Sequence, residues 1–200
     1  MNVWQVLYLI APLVVAGMVH SVVIKRNLFT MLVRPLDGGR TFGERPVFGP
    51  NKTWRGAIVM ALTTVTVVGI QRLLESVPAL AGLSPVDYAA VQWPLVGLAM
   101  ALGYTLGELP NSFVKRRLGI APGGRGAGAA AQYIIDQADS AVGVALALAL
   151  FPGLPVRDLL AVVAVGTLVH AAFDAALYAL GVKSKVLPDI RSLGRPGRRA

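Results

Sequence analysis

Val3 to Ile24 runs without a charged side chain, and no other feature so limits what this 200-residue chain can fold into. Such a stretch is long enough to cross a hydrocarbon layer, which takes about 20 helical residues. Four more apolar runs follow, opening near Trp54, Trp93, Gln132 and Leu159 and closing near Leu74, Gly107, Phe151 and Leu180. Composition agrees, with 55% of residues apolar and 14% charged, against roughly 25% charged in ordinary soluble domains. In lipid each segment must satisfy its own backbone hydrogen bonds, which a helix does unaided. The sequence therefore predicts an all-α polytopic membrane protein with five transmembrane helices. Residues 1–182 read as one transmembrane domain and 183–200 as a basic tail.

Charge orients the predicted bundle. The net charge is +9, but the bases lie between the apolar runs and form no single face interleaved with aromatics. Nucleic acid is therefore not the expected partner. Seven bases fall between Lys25 and Arg55, the third connector holds Lys115, Arg116, Arg117 and Arg125, and the tail holds six more. The second and fourth connectors offer only Arg72 and Arg157. By the positive-inside rule the N-terminus lies outside and the C-terminus in the cytoplasm, as expected of a multi-pass protein of the cell membrane. The first run is too long for a removed signal peptide and lacks a charged leader. The chain has no cysteine, which removes disulfides, thiolate metal sites and cysteine nucleophiles.

With that orientation the unusual carboxylates share the cytoplasmic side. Glu108 stands at the end of the third run, Asp136 and Asp139 in the first turns of the fourth, and Asp174 about two turns from the end of the fifth, with His170 beside it. Charges at membrane depth usually face a cavity or a partner. The i, i+3 spacing of Asp136 and Asp139 puts both on one helix face. Hard oxygen ligands so grouped suit Mg²⁺, which uses a few carboxylates together with substrate phosphates. The glycines of the Pro122-Gly123-Gly124 turn let backbone amides approach a phosphate closely. Asn51-Lys52-Thr53, at the predicted start of the second helix, offers a second anion site. Taken singly these features have plain structural readings. Acids suit helix N-termini, basic connectors follow from topology, and His20 reads as an interfacial histidine. Their coincidence at one face points to a nucleoside triphosphate held with magnesium, without a Walker motif.

Three blocks carry a resemblance: PLDGGRTFGERPVFGPNKTWRG (Pro35–Gly56), ELPNSFVKRRLGIAPGG (Glu108–Gly124) and IDQADS (Ile135–Ser140). Together with the order His170, Asp174, Lys183, they make the chain resemble the CDP-archaeol synthase family, membrane cytidylyltransferases related to the CDP-diacylglycerol synthases. The resemblance implies transfer of CMP from CTP to a glycerolipid phosphate, archaeol-type or phosphatidic-acid-like, with release of pyrophosphate. It further implies Mg²⁺ at Asp136 and Asp139 with Glu108 and Asn111 nearby, and catalytic roles for Lys115 and Arg116. Asn51, Lys52, Thr53, Arg55, Arg117, Gly123 and Gly124 would complete the CTP and phosphate contacts, and His170, Asp174 and Lys183 the lipid-phosphate side. Three other readings compete. A CDP-alcohol phosphotransferase matches only at Asp37-Gly38-Gly39-Arg40 and then fails. A small transporter or Mg²⁺ channel would use the same acids along a pore, and a silent membrane scaffold would use none.

Overall fold

The computed structural model describes residues 1–80, 82–122, 124 and 129–181. Expectations for Gly123, Arg125, Lys183 and the 183–200 tail lie outside the described residues. The described chain is all-helical apart from one minimal hairpin. Its helices are α1 (Val3–Lys25), α2 (Trp54–Leu74), α3 (Trp93–Arg117), α4 (Ala129–Leu150) and α5 (Val156–Ala179). Helix starts follow local chemistry. Asn2 and Gln5 form a reciprocal capping box at α1. The Thr53 hydroxyl accepts the Gly56 amide at 3.3 Å, capping α2.

Successive helices pack on one another, and α5 returns to α1. The core lies between them, in Leu9, Val68, Val96, Met100, Leu148 and Val162. On the outside, Leu62, Leu146, Leu150, Leu160 and Leu168 are each more than 60% exposed, the surface expected of helices facing hydrocarbon rather than water. By length and composition four of the five helices can cross a membrane: α1, α2, α4 and α5. The helix of the third predicted span, α3, does not qualify. Its last turns carry Glu108, Asn111 and the Lys115–Arg117 cluster, and it packs against both α2 and α4.

The end of α3 departs most from expectation. The sequence predicts a helix ending near Gly107, disturbed by Pro110, with the basic cluster in a loop. The helix instead continues through Pro110 to Arg117. Proline removes one backbone donor, yet a helix held by neighbours on both sides tolerates that loss. Glu108, Asn111 and Lys115 are thereby spaced i, i+3, i+7 along one face.

Contact between α3 and α4 rests on missing side chains. A Cβ at Gly143 would lie 2.1 Å from the Gly103 carbonyl oxygen and 2.7 Å from Gly107 Cα. One at Gly107 would lie 2.5 Å from the Asp139 carbonyl. Gly103-x-x-x-Gly107 against Gly143 is the small-residue packing by which membrane helices approach closely.

The connector between α1 and α2 is more ordered than its Gly, Pro and Arg content suggests. Strands β1 (Thr41–Phe42) and β2 (Arg45–Pro46) form an antiparallel pair, where neither a long helix nor a strand is expected from the sequence. Gly43 and Glu44, with φ of 56° and 60°, make the tight left-handed turn that joins such strands. At the opposite end of the bundle, the connector after α2 buries Val86 and Tyr88. The Tyr88 hydroxyl donates to Gln71 Oε1 at 3.2 Å, and Gln71 Nε2 donates to the Tyr8 carbonyl at 2.6 Å.

Candidate active site between α3 and α4

The close approach of α3 and α4 brings Asn111 onto the acidic pair. Asn111 Nδ2 donates to Asp136 Oδ1 and to Asp139 Oδ2, each at 2.7 Å. Lys115, one turn further along α3, forms an ion pair with Asp136. The Ser140 amide donates to the other Asp139 oxygen at 2.6 Å. One amide bridging two carboxylates fixes their separation, and the lysine offsets part of their mutual repulsion. The pair itself was legible in the i, i+3 spacing; the bridge was not.

Glu108 stands on the same face of α3 but is engaged elsewhere, in an ion pair with Lys52 from the start of α2. Both side chains are about a quarter exposed, at 21% and 26%. Among the described residues no group of three or more His, Cys, Asp or Glu side chains converges as a metal site. The donors at Asp136 and Asp139 are nonetheless carboxylate oxygens on one face, fit for a hard cation completed by phosphate oxygens and water.

A second compartment adjoins this pair. A cavity of about 460 Å³ lies among all five helices, and Asn51, Lys52, Thr53, Glu108, His170 and Asp174 line it. Asp136, Asp139, Asn111 and Lys115 do not. Two assignments the sequence kept apart, the Asn51–Thr53 phosphate site and the His170–Asp174 lipid site, therefore share one cavity. On its α4–α5 wall, Gln137 Nε2 donates to Asp174 Oδ2 at 3.3 Å. His170 Nδ1 lies 3.4 Å from Ser140 Oγ and 3.3 Å from the Gln137 carbonyl. Sequence reasoning passed over Gln137 and Ser140. Their signal was a polar residue on either side of Asp139, just before the uncharged run that opens at Ala141.

The remaining basic residues hold the surrounding chain. Arg117 lies against both the Phe42 and the Phe113 ring, 5.4 and 4.9 Å from their centroids. It donates to the carbonyls of Phe42, Arg45 and Pro46, pinning the hairpin. Arg45 in turn donates to the carbonyls of Arg116 and Arg117, capping the end of α3. Arg55 reaches Asn27 Oδ1 at 3.4 Å and the Leu28 carbonyl at 3.2 Å. Arg116 is 7% exposed, and a Cβ at Gly49 would lie 3.3 Å from its guanidinium. Gly124 closes a turn onto the Ala121 carbonyl at 2.8 Å. Asp37 accepts the amides of Gly39, Phe48 and Gly49 at 2.9, 2.8 and 3.2 Å. Burial alone would raise its pKa, but these amides outweigh burial and hold it below the ordinary value.

Comparison with known proteins identifies the family. The CarS-like family, described as CDP-archaeol synthase, matches residues 2–187. The CDP-archaeol synthase of Halobacterium salinarum is 36% identical over 161 residues, covering 76% of this chain and 82% of that protein. That of Halorubrum lacusprofundi is 37% identical over 164 residues, covering 76% and 83%. That of Hyperthermus butylicus is 38% identical over 115 residues, covering 57% of each chain. No solved structure matches. With a family match over residues 2–187 and a relative 36% identical over most of both chains, this chain belongs to the CDP-archaeol synthase family.

Proposed function

We propose that the protein transfers CMP from CTP to a glycerolipid phosphate at the cytoplasmic face of the cell membrane, with α3 as a fifth span and the N-terminus outside. The observation that carries this reading is the Asn111 amide bridging Asp136 and Asp139, with Lys115 on Asp136. A lipid phosphate monoester has its second pKa near 6, so it is largely dianionic at neutral pH. It needs no general base. Its oxygen attacks the α-phosphorus of CTP, a new P–O–P linkage forms, and the bond to the β-phosphate oxygen breaks. Pyrophosphate leaves with that electron pair.

The difficulty is bringing two polyanions together in line. Asn111 holds the two carboxylates at a fixed separation, and Lys115 supplies positive charge beside them. When bound at Asp136 and Asp139, Mg²⁺ would neutralise charge on the phosphoryl oxygens. Arg116 is buried beside Gly49 in the connector that leads to Lys52.

The test is formation of CDP-lipid and pyrophosphate by purified protein with CTP and Mg²⁺, offering phosphatidic acid and digeranylgeranylglyceryl phosphate in parallel. Asp139→Asn is expected to abolish turnover and leave the protein folded. A single lost charge contact in such a site costs roughly 2–4 kcal/mol of transition-state stabilisation, and removing a metal ligand costs more. An Asp139→Asn variant that keeps most activity would overturn the metal assignment. A wild type that neither turns over nor binds CTP would return the transporter and scaffold readings.

A further inference from the structure

The two ends of the bundle treat their apolar connector residues differently. After α2 the chain folds Val86 and Tyr88 inside. After α1 it turns Leu28, Phe29, Met31 and Val33 outward, with Phe29 54% and Met31 76% exposed. The backbone holds them there. The Leu28 amide donates to the Val23 carbonyl at 2.9 Å and the Asn27 amide to the Ile24 carbonyl at 3.0 Å, with Asn27 left-handed at φ 49°. This is the Schellman ending, which stops a helix and swings the chain across its end. Phe29 is left-handed as well, at φ 53°, a conformation that bulky residues rarely adopt. A single 3₁₀ turn, Thr30–Leu32, follows. The segment is fastened to the start of α2. Arg55 donates to Asn27 Oδ1 and to the Leu28 carbonyl, and the Trp54 amide donates to the Arg34 carbonyl at 3.0 Å. Trp54 itself is half exposed. An ordered backbone thus presents a cluster of apolar side chains outward, which water does not favour.

Charge identifies what covers them. Lys25, Arg26 and Arg34 flank the segment and are all exposed, and none makes a side-chain hydrogen bond or ion pair among the described residues. From Lys25 to Leu36 there is no carboxylate. The cluster stands where α1 ends and α2 begins, two helices apolar enough to cross a membrane. Apolar side chains ringed by unpaired cations complement a bilayer surface with anionic headgroups, hydrocarbon for the one and phosphate for the other. We infer that Leu28–Val33 is an interfacial anchor seated in the bilayer at headgroup level, with Trp54 beside it, and that Lys25, Arg26 and Arg34 form a headgroup site selective for anionic lipid. Tryptophan suits that level too. The backbone ties the anchor to Lys52. The Leu36 amide donates to the Lys52 carbonyl at 2.7 Å, and Pro35 pairs with Thr53 in an isolated bridge. Anchor depth therefore fixes the height of the Lys52–Glu108 ion pair relative to the lipid surface. The anchor holds its place whether or not the protein forms a CDP-lipid.

The chain has no cysteine, so Met31→Cys can carry a single NBD fluorophore. The full chain is placed in nanodiscs of phosphatidylcholine and phosphatidylglycerol in equal parts, with Arg40→Cys, in the same connector, as the water-facing control. Nitroxide on the upper acyl chain should quench the Met31→Cys probe and spare the Arg40→Cys probe, and aqueous iodide should do the reverse. Nitroxide-labelled phosphatidylglycerol should quench the Met31→Cys probe as though enriched about fivefold over labelled phosphatidylcholine. Salt at about 1 M, where charges act over only about 3 Å, should erase that preference and leave the depth unchanged. Joint Lys25→Gln, Arg26→Gln and Arg34→Gln should do the same at low salt. The salt arm needs no charge variant, so it decides even if the triple variant fails to fold. Iodide quenching of the Met31→Cys probe equal to that of the control overturns the anchor. Equal quenching by the two labelled lipids overturns the headgroup site. Protection from iodide without quenching by either lipid means that protein covers the segment, and overturns both.

Discussion

Asp37 shows how a single residue can organise a connector that reads as irregular. Its carboxylate gathers three backbone amides, from Gly39, Phe48 and Gly49, and so folds the loop that leads to Lys52. Because these amides favour the charged form, its pKa in the folded loop lies below the unfolded value of about 3.9. The stabilisation is fully present above the unfolded value and is lost as pH falls through the lower folded value. Amide exchange at Gly39, Phe48 and Gly49 should thus stay slow until the solution is more acidic than ordinary carboxylate titration requires. Asp37→Asn should speed exchange of the same three amides at neutral pH. Equal protection in both proteins would mean that the loop is held by its hairpin and Arg117 alone.

Among the elements, α3 sets the geometry of the proposed site. Its persistence through Pro110 aligns Glu108, Asn111 and Lys115, and its glycines let α4 come close enough for Asn111 to span both aspartates. Gly143→Ala would place a methyl group 2.1 Å from the Gly103 carbonyl, where backbone rather than a flexible side chain must give way. Such overpacking costs about 1–3 kcal/mol, and separating the helices would also stretch the amide bridge. The variant should unfold earlier in a detergent or denaturant titration and lose turnover together with stability. Wild-type stability and activity in Gly143→Ala would show that the helices can part without moving the pair.

At the scale of the molecule, five helices line a shared cavity, and four of them are apolar enough to span by themselves. The proposed topology has α3 crossing as well, so the hairpin connector and the α2–α3 connector lie on opposite sides. A chain without cysteine makes this directly measurable. In sealed cells, Ser76→Cys should react with an impermeant maleimide, and Arg40→Cys should react only after the membrane is permeabilised. Labelling of both from the same side would remove one span from the count.

The all-helical class, the number of long helices and the identity of the acidic pair were all determined by sequence. Uncharged runs admit few structures in lipid, and an i, i+3 spacing has one meaning on a helix. The end of α3 was not legible, because a proline within a helix is decided by whether neighbouring helices hold it. Nor was the amide bridge, since Asn111 and Asp136 meet only where Gly103, Gly107 and Gly143 remove the side chains between their helices. Lys52 and Arg117 looked alike as loop bases. Only the tertiary structure sends one to Glu108 at a cavity wall and the other onto a pair of phenylalanine rings, because a cation's role depends on which charges and rings the fold brings within reach.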